Sequence, residues 1–228
     1  MKRRSLLIGA ALFPLSVLAQ GRKRLREIYI LAGQSNMTEY PDGTLGLHGW
    51  FKDRMVSHRQ NADIVLAPCA VGATKMQAWS RNWSTSSLYG AMLARVRYEL
   101  SLGGSIKGLL WWQGESDCGR YPAPPNNAWP EVISWAGDFC RFVADVRVDL
   151  VLPDLPVVFA QLGPEPSGNW NYAAWGFLQA QQASISAPKV SMIETKDLPE
   201  LNINNVHLSA AGYEVAGYRF ADAMNALL

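Results

Sequence analysis

The sequence predicts an α/β fold, a central, mostly parallel sheet of five strands with helices on its faces. Three observations carry this. Short apolar runs alternate with longer segments of helical periodicity, and strand–helix–strand repetition calls for parallel pairing with right-handed crossovers. The runs Leu109-Leu110-Trp111-Trp112 and Val157-Val158-Phe159-Ala160 show no polar alternation, as strands covered on both faces should. The chain has 228 residues, 49% of them hydrophobic and 18% charged, which suits one domain with a sizeable core and argues against disorder.

The first 19 residues stand apart. Lys2, Arg3 and Arg4 precede the apolar run Leu6 to Leu18, and Val17-Leu18-Ala19 places small residues at a cleavage point, the layout of a secretory signal. The Arg3-Arg4 pair followed by Ser5-Leu6-Leu7 points to twin-arginine export. The apolar run falls short of the ~20 residues that span a bilayer, so cleavage is expected rather than anchoring, with no stable membrane insertion afterwards. The organisation expected is therefore a signal at 1–19 and a single catalytic domain at 20–228, with a secreted or periplasmic product. Removing the signal takes Lys2, Arg3 and Arg4 and no acid, so the formal charge falls from +2 to −1. The cluster Arg22, Lys23, Arg24 and Arg26 follows it, but no basic patch runs through the domain, and nucleic acid is not an expected partner.

Strands are expected near 27–32, 63–68, 107–112, 156–162 and 190–194, and helices over 87–101, 128–148, 172–186 and 209–227. The first strand ends abruptly at Gly33-Gln34-Ser35-Asn36-Met37, which sets a hydroxyl at a strand C-terminus, where open α/β sheets bind ligands. The long loops 38–62, 69–86, 114–127 and 163–171 mostly follow strand C-termini as well, the side on which functional loops belong. Of the cysteines, Cys69, Cys118 and Cys140, none forms a Cys-x-x-Cys pair, so no zinc or redox motif is present. A Cys118–Cys140 disulfide and three buried free thiols are both compatible with export.

A serine becomes a nucleophile only when a base takes its proton and donors receive the oxyanion. Four blocks supply candidates. Ser35 is the nucleophile candidate, with its own N–H as one oxyanion donor. Gly72, in Pro68-Cys69-Ala70-Val71-Gly72-Ala73-Thr74, allows close approach of its backbone to a ligand. Gln113, in Trp112-Gln113-Gly114-Glu115-Ser116-Asp117, offers a side-chain amide. His207, in Asn204-Asn205-Val206-His207-Leu208-Ser209, is the base candidate, with Ser209 as N-cap of the last helix. Singly, each block reads as an ordinary turn, loop anchor or helix start. Together and in this order they read as an acyl-transfer site.

These blocks resemble the SGNH/GDSL hydrolase superfamily, and most of all its sialate O-acetylesterase and acetylxylan esterase-like branch, over essentially the whole chain from Glu27 onward. The resemblance implies a flavodoxin-like three-layer α/β/α sandwich. It implies Ser35 as nucleophile, His207 as base, and Ser35 N–H, Gly72 N–H and the Gln113 side chain as the oxyanion hole. One departure stands out. The family places an Asp about three residues before the His, where this chain has Asn204 and Asn205. An Asp orients the imidazole and stabilises its charged form, which an Asn does less well. Either Asn204 or a backbone carbonyl orients the ring, or another carboxylate (Asp197, Glu194 or Glu115) substitutes, or activity is reduced.

The function expected is a secreted serine esterase that removes O-acetyl groups from a carbohydrate such as sialic acid, xylan or another envelope glycan, through an acetyl-enzyme. It needs no cofactor and no metal. The alternative is a catalytically weakened or non-catalytic glycan-binding module on the same scaffold. An esterase of long acyl chains is disfavoured by the scarcity of Leu, Ile and Phe runs in the loops. Trp79, Trp83, Trp129, Trp170 and Tyr172 lie in or beside loops of the active face and are candidates for stacking on sugar rings, whereas Trp111, Trp112, Trp135 and Trp175 read as core. His48 and His58, with no carboxylate cluster at metal spacing, read as surface or loop-packing residues.

Overall fold

The structure, a computed structural model, describes residues 24–38, 46–119, 129–166, 172–199 and 206–228. The expected signal at 1–19 lies outside them. Five strands, β1 (Leu25–Gly33), β2 (Ala62–Pro68), β3 (Ser105–Trp112), β4 (Val157–Ala160) and β5 (Val190–Ile193), form one sheet in the order β2-β1-β3-β4-β5. Every neighbouring pair is parallel. The helices are α1 (His48–His58), α2 (Leu88–Ser101), α3 (Pro130–Leu150), α4 (Trp175–Ala183) and α5 (Ala210–Leu227).

Both faces of the sheet are buried, which is why the strands read as continuous apolar runs. Ile30, Ala32, Leu109, Trp111, Val157 and Phe159 face a core built with α2, α3 and α4. Tyr29, Leu31, Leu110, Trp112, Val158 and Ala160 face a second core built with α1 and α5. The sheet is thus the middle layer of a three-layer α/β/α sandwich in the flavodoxin-like strand order. Trp111 and Trp112, adjacent in sequence, serve opposite cores. Trp111 meets Trp79 at 5.2 Å and Phe142 at 4.7 Å between ring centroids, while Trp112 meets Phe220 at 6.0 Å. Such pairs add to the area each ring buries.

The stretch 38–62, expected as loop, contains α1. In this helix and its N-cap, Leu47, His48, Phe51 and Met55 are the buried residues, with Leu47, Phe51 and Met55 in a stripe four residues apart that is too narrow to stand out among Lys52, Asp53, Arg54 and Gly49. The helix exists because that stripe packs on α5. The cysteines form no disulfide, and of the three thiols expected to be buried if free, only Cys118 is: Cys69 is half-buried and Cys140 exposed. Cys118 is buried at the end of the turn after β3, while Cys140 faces solvent on α3, whose core side is taken by Phe139, Phe142 and Val143. Among the described residues, no helix is long and apolar enough to cross a membrane.

Candidate active site

The sheet order reverses direction at β1, with β2 on one side and β3 on the other, and the crevice at such a switch point is where ligands bind. Two backbone features build it. Gly33 has φ +124°, and a Cβ there would lie 2.1 Å from the Trp112 carbonyl oxygen. Only glycine allows β1 to turn this tightly against β3. Gln34 N–H then donates to Trp112 O at 2.8 Å, and Ser35 opens a 3₁₀ turn, Ser35–Met37. Thr38 fastens that turn, its N–H and Oγ1 both donating to Ser35 O.

Beyond β2 the chain stays beside β1. Cys69 N–H donates to Leu31 O at 2.7 Å and Val71 N–H to Gly33 O at 3.0 Å. This brings Gly72 next to the serine, close enough that an added Cβ would sit 3.8 Å from Ser35 Cβ. From the far end of the chain, His207 Nε2 comes to 2.8 Å from Ser35 Oγ. The histidine segment is held on both sides. Leu208 is buried in the α1/α5 core, Ser209 N–H donates to Pro199 O at 2.9 Å, and Ser209 Oγ caps α5 by accepting from Gly212 N–H at 3.2 Å. Burial pushes the His207 imidazole below its ordinary value of 6.5. Ser35, Gly72 and His207 therefore converge, at the wall of a cavity of about 1020 Å³ also lined by Gln34, Glu115 and Tyr172.

Gln113 does not join them. It is fully buried, and its amide is committed elsewhere: Nε2 donates to Thr74 O at 2.9 Å and to Asp117, and Oε1 accepts from Trp135 Nε1 at 2.9 Å. Strand parity is the reason. Residue 113 continues the face of Trp111, toward α3, rather than pointing into the crevice. The oxyanion-donor reading of Gln113 is corrected accordingly: its role is to stitch the loop after β2 to the end of β3. Asp117 completes that stitch, both its oxygens accepting from Met76 N–H, and burial lifts its carboxyl to about 6.

The carboxylates weighed as substitutes for the missing acid part company. Asp197 pairs through both oxygens with Arg219, which holds its carboxyl down to about 2, and Arg219 also binds Glu194 O. These residues line a different groove, beside β5 and α5, so the support expected of Asp197 is not what the structure gives. Glu115 does reach the site. It is buried in the turn Glu115–Asp117, its Oε1 accepts from Asn36 Nδ2, and burial pushes it up to about 7. Asn204 lies outside the described residues.

The sugar-stacking candidates are fewer than expected. Trp79 and Trp129 are core residues, and Trp83 is exposed but packs against Arg81 and donates to Asp149. Trp170 lies outside the described residues, and Tyr172 lines the cavity. Trp111, Trp112, Trp135 and Trp175 are buried, as expected. His48 Nε2 donates to Met37 O at 2.8 Å and His58 sits against Asp222. Asn36 and Tyr213 had no role from sequence. Their place at the site comes from contacts between segments far apart in the chain.

The sequence profile of the family described as "Carbohydrate esterase, sialic acid-specific acetylesterase" matches residues 41–226. The chain belongs to this family. A "Probable carbohydrate esterase" of Arabidopsis thaliana is 30% identical over 163 residues, covering 72% of this chain and 56% of its own length. The carbohydrate esterase-family chain thus spans little more than half of that curated relative. Among solved structures, an Arabidopsis thaliana protein superimposes with a TM-score of 0.71 at 24% identity, covering 87% of this chain and 97% of its own. A structure described as a novel carbohydrate acetylesterase from Xanthomonas citri gives 0.66 at 15%, covering 86% and 55%. NanS gives 0.63 at 17%, covering 89% and 97%. At these identities the structural likenesses establish the shared fold alone.

Proposed function

We propose that this protein is an exported serine esterase that removes O-acetyl groups from a carbohydrate through an acetyl-enzyme. The observation that carries the reading is the 2.8 Å approach of His207 Nε2 to Ser35 Oγ at the wall of an open cavity. That is the distance at which a neutral imidazole can take the hydroxyl proton. Family membership supports a carbohydrate ester as substrate.

In this mechanism Ser35 Oγ attacks the acetyl carbonyl while its proton passes to His207 Nε2. The negative charge that develops on the carbonyl oxygen is met by backbone N–H groups, for which Ser35 and Gly72 are the adjacent candidates. The tetrahedral intermediate collapses, the C–O bond to the sugar breaks, and His207 returns the proton to the departing sugar oxygen. Water, deprotonated by the same imidazole, then releases acetate from Ser35 and regenerates the enzyme. The cavity volume suits a sugar and its acetyl group. Export rests on the signal-like layout of residues 1–19. N-terminal sequencing of the protein recovered from outside the cytoplasm should begin after Ala19.

The experiment that tests the reading measures acetate released from a panel of acetylated glycans (sialosides, xylan, peptidoglycan) and from p-nitrophenyl acetate, with wild type beside Ser35→Ala. Release by wild type, lowered on the order of 10⁴-fold or more in Ser35→Ala, is expected. Turnover that survives Ser35→Ala overturns the mechanism. Glycan binding without any acetate release favours the non-catalytic module instead.

A further inference from the structure

The segment that carries His207 is held by a buried hub that the acyl-transfer steps do not use. Asn36, next to Ser35, is 2% exposed. Its amide has two N–H donors and one carbonyl acceptor. One N–H donates to Glu115 Oε1 and the other to Val206 O at 2.9 Å, while Oδ1 accepts from Tyr213 O–H at 2.7 Å. Three distant segments meet there: the turn after β3, the residue before the histidine, and α5. The partners also fix the orientation of the amide, because only its NH₂ can face a carboxylate and a carbonyl together. Glu115 is a costly part of this arrangement, since its Oε2 is buried without a hydrogen-bond partner among the described residues. The acceptor it presents to Asn36 is what that cost maintains.

We propose that Asn36, oriented by Glu115 and Tyr213, is a positioning residue that fixes the Val206 carbonyl and thereby sets the reach of His207 toward Ser35. The inference rests on the esterase reading above. Its physical basis is the planarity of the peptide unit. Val206 O and His207 N–H share one plane, so holding the carbonyl fixes the entry of the chain into His207. Leu208 and Ser209 fix the exit. Releasing the Asn36 bond frees the entry, and a misplacement of ~1 Å can cost on the order of 10²-fold in rate.

Four variants and two readouts test this. Asn36→Leu keeps the volume and removes the hydrogen bonds, and Tyr213→Phe removes one. Glu115→Gln still presents a carbonyl oxygen to Asn36, whereas Glu115→Leu does not. On p-nitrophenyl acetate, Asn36→Leu should lower kcat about 10²-fold with KM within roughly threefold. Glu115→Gln should recover most of the activity that Glu115→Leu loses, and Tyr213→Phe should fall between. The second readout, the His207 imidazole titration followed by ¹⁵N NMR, does not need turnover. Loosening the segment should admit water and move that titration up toward its ordinary range in Asn36→Leu. A folded Asn36→Leu with wild-type kcat and an unshifted His207 titration overturns the proposal. Should Asn36→Leu fail to fold, a Glu115→Gln as impaired as Glu115→Leu overturns it. A wild type that hydrolyses no acetyl ester defeats the esterase reading instead, and the NMR titration still decides the positioning claim.

Discussion

In the proposed mechanism His207 must be neutral to accept the Ser35 proton, and burial lowers its pKa below 6.5. The ascending limb of kcat/KM against pH should therefore have its midpoint below 6.5, with a plateau through pH ~8, where the base stays unprotonated. A pH–rate profile on p-nitrophenyl acetate checks this, and a midpoint at 7 or above contradicts it. The residues of this chemistry were unequally legible in the sequence. Ser35, Gly72 and His207 stand where a strand ends or a helix begins, and such positions show in the local pattern. Gln113 also ends a strand, but its direction depends on parity across the sheet, and Trp135, its partner on α3, reveals itself only once the layers are assembled. Asn36 was visible as a motif letter and silent as a hub, because Glu115, Val206 and Tyr213 reach it from segments 79 to 177 residues away.

Elements meet at the crevice through backbone that tolerates no side chain. At Gly33 a methyl group would have to share space with the Trp112 carbonyl while the residue holds φ +124°. Gly33→Ala should destabilise the fold by about 3 kcal/mol or more, since strain and clash act together, and a lowered midpoint in urea denaturation would show it. Gln113→Leu tests the corrected role of that residue. It removes one donor to the buried Asp117 carboxyl and leaves Trp135 Nε1 without its acceptor, at a cost of about 1–3 kcal/mol, and should loosen the loop that carries Gly72. A fall in kcat with unchanged stability would return Gln113 to the oxyanion hole. The strands and the helices α2, α3 and α5 were legible because burial on one or both faces imprints a period on the chain. The helix α1 was not, because its apolar stripe of Leu47, Phe51 and Met55 is one residue wide and gains its meaning only from α5.

Across the whole molecule, two buried acids in one turn couple folding to pH. Glu115 is raised from an ordinary 4.5 to about 7 and Asp117 from 3.8 to about 6, both by desolvation. Between each pair of values the folded state holds a proton that the unfolded chain has lost. Their stabilisation is therefore complete below about pH 4 and lost as pH rises through 6 and 7. His207 acts oppositely, because its lowered pKa makes the unfolded chain the better proton acceptor just below 6.5. Asp197, held down to about 2 by Arg219, contributes only in stronger acid. Among the described residues, two raised acids against one lowered imidazole leave a net decline, so the melting temperature should fall from pH 5 to pH 8. Glu115→Gln isolates the largest part. Its amide does not titrate, so the variant should lose up to about 3 kcal/mol of the pH dependence. Calorimetry at pH 5, 6, 7 and 8 on both proteins decides it. Superimposed pH profiles would mean that Glu115 titrates in the folded protein as it does in the unfolded chain, and that the turn after β3 is open to water. A flatter profile in Glu115→Gln ties the stability of the whole sandwich to the same carboxyl that orients Asn36 beside Ser35.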